Sequence, residues 1–226
     1  MDLKHIIDQK DHYADYMVDE ITHICRDFEK REPGSKGEQQ ACEYMAQVLK
    51  KDCGCQRADV ESFKENPGSF FGWIYFTITF VLAAIACFFF CPLLSAVLIV
   101  VGLFIVFMQF GLYKKLIDGC FPEKTGHNVT AVKQCTGEVK RRIFFNGHPD
   151  AAWEWPVNYK LGGATDSAAF AQAGFRATGV TGLNHKLEDY YHTRRDTYDN
   201  MNKEGLAGCF AVSVKALEMF DNGAKQ

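Results

Sequence analysis

His148 and Asp150 stand two residues apart in "FFNGHPDAAWEWP", residues 144–156. Imidazole is a good zinc ligand, and a nearby carboxylate can orient the ring through its other nitrogen. Pro149 between them stiffens the corner. The same H-x-D also suits a solvated turn after a buried strand, and on its own it does not decide between the two. A second candidate is "YYHTRRDTYDNM", residues 190–201, where His192 precedes Asp196 and Thr197. Its alternative is a loop histidine near a helix cap. His5, His12, His23, His127 and His185 lack such company and read as ordinary surface or strand residues.

These corners need elements to position them. Tyr13, Met17, Ile21, Ile24 and Phe28 recur at three- and four-residue steps and predict an amphipathic helix over 12–31. Pro33 and Gly34 break it. Ser35, with Glu38 three residues later, reads as a capping box for a second helix. That helix carries Ala41, Tyr44, Met45, Val48 and Leu49 on one face. "ADVESF" reads as a short strand. "HNVTAVKQ" and "VKRRIFFNG" read as two strands joined by a "CTGE" turn, the second ending at the His148 corner. "DSAAFAQAG" predicts a short helix closed by Gly174. A strand "ATGVTGL" and a long amphipathic helix from Asn202 to Phe220 follow. Helices mixed with strands in this order indicate an α/β layer architecture.

The chain has 226 residues and a formal charge of −3. That balance offers no basic face and gives no support for a nucleic-acid partner. Its hydrophobicity is concentrated, because no charged residue occurs from Pro67 to Tyr113. "FFGWIYFTITFVLAAIACFFF" and "PLLSAVLIVVGLFIVFMQFGLY" are each about the ~20 residues that cross a ~30 Å hydrocarbon core. Pro92 lies between them, where a turn is needed. Trp73, Tyr75 and Tyr113 lie near the outer ends, as interfacial aromatics do. The expectation is a transmembrane helical hairpin, with a buried hairpin in a soluble core as its alternative. Arg57 and Lys64 flank one end, Lys114, Lys115 and Lys124 the other, and the turn carries no charge. The positive-inside rule then places the soluble parts in the cytoplasm. Nine cysteines without a CxxC pair read as mostly reduced thiols, in agreement with that side. The charged N-terminal stretch has no apolar core and does not read as a signal peptide.

Four segments, in order, resemble the M28 family of zinc aminopeptidases. "REPGSKGEQQACEYMAQVLKK" resembles its G-S-x-G segment and following helix. "GHNVTAVKQCTGEVKRRIFFNGHPDAA" resembles its N-V strand, turn, and strand ending in G-H-x-D. "GGATDSAAFAQAGFRATGVTGL" resembles its S-D-x-x-x-F helix and next strand. "YYHTRRDTYDNM" resembles its late Y-H-T-x-x-D-T motif. The resemblance implies a central mixed sheet flanked by helices and a co-catalytic pair of Zn2+ ions acting on peptide substrates. It implies His148 and His192 as metal ligands and Asp150 as the residue that orients His148. The two metals would polarise the scissile carbonyl and activate a shared water, with a glutamate as general base.

The family's set is incomplete in this chain. The stretch between the G-H-x-D corner and the S-D helix should supply a bridging aspartate, a Glu-Glu pair and another acidic ligand. Here it is "AAWEWPVNYKLGGA", whose one acidic residue is Glu154. No Glu-Glu pair follows His148, and two histidines cannot hold two zinc ions in closed shells. A single zinc on His148, His192 and a borrowed carboxylate (Asp150, Glu154 or Asp189) is the most that this count allows. Asp166 matches the S-D motif and is not assigned to the metal. "KLGG" running into "ATDSAAF" reads as a seam near 162–164.

The expected fold is therefore an incomplete mixed-sheet zinc-aminopeptidase-like sandwich with an inserted transmembrane hairpin. Residues 1–66 form its N-terminal helical part. Residues 67–113 form the hairpin, with helices near 70–90 and 92–113, and 114–226 form the remainder. The expected function is that of a bilayer-anchored aminopeptidase relative, impaired or inactive. A non-catalytic membrane binding or assembly module and a glutaminyl-cyclase-like acyltransferase remain as alternatives.

Overall fold

A computed structural model describes residues 2–28, 30–112, 114–139, 141–149, 151, 166–180, 190 and 195–223. Helices α1 (Lys4–Ile7), α2 (Lys10–Asp27) and α3 (Lys36–Lys51) lead into strand β1 (Arg57–Glu65). The apolar helices α4 (Ser69–Phe88) and α5 (Pro92–Val106) follow, and α5 continues as a π-helical turn, Phe107–Gly111. Strand β2 (Lys124–Val132), helix α6 (Asp166–Gln172) and helix α7 (Lys203–Asp221) complete the order. The chain divides into two compact units, one of residues 1–32, 36–60 and 129–226, the other of residues 33–35 and 61–128.

In the first unit α2 lies against α7. Ala14 and Ala207 are buried, and small side chains let two helix backbones approach. Tyr13 stacks on Phe210 with ring centroids 4.8 Å apart, and Lys203 pairs with Asp15. The Asn202 side chain caps α7 by accepting from the Gly205 N–H at 2.9 Å. Helix α3 begins at Lys36, directly after the expected Ser35. Its Tyr44 hydroxyl donates to the Glu20 carboxylate at 2.7 Å, and the ring lies 4.5 Å from His23 and 5.5 Å from Phe28. Most of the buried residues are small. Cys42 is the largest fully buried side chain among the described residues.

In the second unit α4 and α5 lie side by side, with Ala84, Ser95, Gly102 and Ile105 buried. A Cβ at Gly102 would stand 3.2 Å from Phe80. At Gly72 a Cβ would lie 2.0 Å from the tip of the Phe121 ring, so the ring needs a glycine beneath it. Gln109, inside the π-helical turn, fastens the exit from α5. Its amide donates to Asp118 at 2.8 Å, and its carbonyl accepts from the N–H groups of Leu116 and Ile117 at 3.0 and 3.3 Å.

Strands β1 and β2 form a two-stranded ribbon. Gln56 N–H donates to Val132 O at one end, and Lys64 Nζ reaches Thr125 and Glu123 at the other, so the strands run antiparallel. These are the "ADVESF" and "HNVTAVKQ" strands of the sequence analysis. The expected strand "VKRRIFFNG" does not form: its described residues, 139 and 141–147, carry no regular structure. A strand exists only where a neighbour completes its hydrogen bonds. The described part of "ATGVTGL", 177–180, is likewise irregular. The fold is thus mixed α/β with a small sheet and two apolar helices. The sandwich expected from the resemblance needs more strands than the described residues form.

Two outcomes follow from this packing. Burial first, then the bond to Glu20, pushes the Tyr44 phenol up to about 12. A pKa raised on folding gives stability that is complete below the ordinary phenol value of about 10 and is lost as pH rises through the folded value. Tyr16 is raised too, by burial first and then by the Glu20 charge. Thermal unfolding followed from pH ~9 to ~12 should lose stability steadily. Tyr44→Phe should flatten most of that slope and cost about 1 kcal/mol at neutral pH. Gly72→Ala should destabilise by about 1–3 kcal/mol, because Phe121 must leave its seat. Adding Phe121→Ala should make the pair less than additive, as read by denaturation with Trp73 fluorescence.

Candidate metal-site corner

The corner is held by backbone and amide bonds. Arg31, after the end of α2, donates from Nη1 to Ile24 O and Phe28 O, both at 3.0 Å. The guanidinium thereby adds a second donor to the Ile24 carbonyl, which already accepts the Phe28 N–H, and caps the Phe28 carbonyl just past the helix end. The Arg31 carbonyl in turn accepts the Ala151 N–H at 2.8 Å, fixing the chain just past the H-x-D. On the other side Asn146 Nδ2 donates to the Asp166 carboxylate at 2.6 Å. Asp166 sits in the first turn of α6. That helix closes where expected, with Gly174 at φ +88°, a conformation that favours glycine. Phe144 packs near Phe170 of α6 at 5.1 Å, and Phe170 near Phe175 at 6.3 Å.

His148 is described and solvent-exposed. Asp150, His192, Glu154 and Asp189 lie outside the described residues. The ends of the "YYHTRRDT" stretch are described. Tyr190 Oη meets Asn200 O at 3.4 Å, and Asn200 Nδ2 donates to Arg195 O at 2.5 Å. Arg26 of α2 lies over the Tyr198 ring, 5.4 Å from its centroid. Both motif segments are therefore tied to the helical unit that contains α2.

The family-implied zinc pair needs several convergent donors. Among the described residues no three His, Cys, Asp or Glu side chains come together to hold a metal ion. The sequence places one acidic residue, Glu154, between Asp150 and Asp166, so the set does not fit a two-metal centre. Asn146, Arg31 and Asp166 were missed as site-positioning residues. Asn146 had a signal, a polar residue directly after two phenylalanines and before Gly147-His148. Arg31 had none, because its role is a contact across the fold.

A family model, Peptidase family M28, matches residues 129–217 of the chain. The match takes in the His148 corner, α6, the His192 stretch and most of α7. Residues 31–51 and the α4–α5 pair lie outside it. No curated protein and no solved structure matches the chain.

Asn146→Ala should release α6 from the corner. Hydrogen exchange of the α6 amides should then report about 1 kcal/mol less protection, with the α7 amides unchanged.

Proposed function

We propose that the chain is a membrane-anchored relative of the M28 peptidases whose ancestral activity is zinc-dependent aminopeptidase hydrolysis of peptides, and that this chain is impaired in that activity. The observation that carries this reading is the conjunction of the family match over 129–217 with the short stretch between Asp150 and Asp166. His148 and His192 would be the retained metal ligands and Asp150 the group that orients His148. The carboxylates that would close two zinc shells and supply a general base have no counterpart there. When bound, zinc in this family polarises a carbonyl and activates water.

Membrane anchoring is supported by α4 and α5. Both are long and apolar enough to cross a bilayer, and 11% of the apolar window of each is buried. A core helix of a soluble protein would be mostly covered. The hydroxyls of Thr77 and Thr79 donate to Trp73 O and Tyr75 O, both at 2.8 Å, so they carry no unmet demand for water. Cationic residues at both ends of the pair and none at its turn favour a cytoplasmic side for the polar parts. All nine cysteines are free thiols.

Zinc content and turnover test the proposal. The purified chain in detergent should hold fewer than two zinc ions per chain by elemental analysis, and His148→Ala should lower what it holds. Aminoacyl-anilide substrates should show little or no hydrolysis. Two tightly held zinc ions with rapid turnover would overturn the impairment. No zinc in a folded chain would favour a non-catalytic binding module. Cyclisation of an N-terminal glutamine without hydrolysis would favour the glutaminyl-cyclase-like reading.

A further inference from the structure

The turn between α4 and α5 has a composition that crossing a bilayer does not explain. From Phe80 to Leu94 no side chain is polar apart from the thiols of Cys87 and Cys91. The tip residues Phe88, Phe89, Phe90 and Leu93 point outward, 58, 78, 90 and 76% exposed. A loop that emerges into water on the far side would carry polar residues, and interfacial Trp or Tyr would mark its level. Trp73 and Tyr75 occur only at the base of α4, and the tip has phenylalanine alone.

Backbone geometry agrees. The N–H groups of Phe90 and Cys91 both donate to Cys87 O, at 3.0 and 2.7 Å, and Ser95 N–H donates to Cys91 O at 3.1 Å. Pro92 opens α5 with no N–H to satisfy. The turn thus meets much of its own hydrogen-bond demand, as backbone in hydrocarbon must. Length agrees as well. Helix α4 has 20 residues, about 30 Å at 1.5 Å per residue, which matches a hydrocarbon core with no surplus to carry the tip beyond it.

We propose that the tip, residues 88–93, ends in the apolar phase and exposes no loop on the far side, so that the hairpin enters a lipid surface from one side only. This rests on the membrane reading above. Its partner is a phospholipid surface with an apolar phase beneath. A monolayer over oil satisfies that requirement as well as a bilayer, because no part of the tip asks for water on the far side.

The test uses the full chain and its native cysteines. Flotation with phosphatidylcholine vesicles, after alkaline carbonate washing, comes first. A chain left behind in the soluble fraction would overturn the membrane reading itself. For the vesicle-bound chain, a membrane-impermeant maleimide is supplied on both faces and each cysteine is followed by peptide mass spectrometry. Cys53, Cys120 and Cys135 are exposed outside the hairpin and serve as references. Cys91, exposed in the structure, should stay unlabelled while Cys120 reacts, and should react after SDS denaturation. The chain should also bind triolein droplets coated with a phosphatidylcholine monolayer. Labelling of Cys91 at the rate of Cys120, or binding to vesicles with exclusion from the droplets, would overturn the proposal.

Discussion

Every backbone N–H and C=O that leaves water must find a partner, and this condition divides the molecule. Helices α4 and α5 meet it internally. Their ladders are intrahelical, the threonine hydroxyls fold back on their own helix, and the turn closes on Cys87 O. Gln109 fastens the exit, where its carbonyl accepts from the Leu116 and Ile117 amides. A segment built this way can stand outside water with its apolar side chains turned outward.

The peptidase-like part meets the same condition differently. Its helices pack through small residues, Ala14 on α2, Ala41 and Cys42 on α3, and Ala207 on α7. The His148 corner is held by single bonds rather than by a sheet. Arg31 O takes the Ala151 amide, and Asn146 holds Asp166. Phe144 and Phe145, adjoining the corner, are 69 and 70% exposed. In an α/β layer such residues would lie under a neighbouring strand. The stretch after the corner, which the M28 resemblance expects to be long, is short in this chain.

Much of the fold was legible before the structure. The start of α3, the cap of α6 at Gly174, the long α7 and both strands of the ribbon follow from periodicity and turn residues, whereas α2 ends at Asp27, short of the expected Arg31. The described residues of the strand expected over 139–147 form no strand, because local preference for β structure cannot supply the second strand that a ladder needs. The candidate site was legible as motif residues. The groups that hold the corner were not, because Arg31 and Ala151 are far apart in sequence and meet through a backbone carbonyl.

By itself the sequence determined the likeness of residues 129–217 to the M28 peptidases, the pair of apolar helices and the shortage of acidic donors between Asp150 and Asp166. These depend on residue type, run length and order, which a chain carries without folding. Only the tertiary structure decided how Asp166 is held beside the corner, that Gly72 makes room for Phe121, and that β1 pairs with β2. Each of those depends on which groups meet across long separations, and hydrogen bonding and close packing settle that only when the chain has folded.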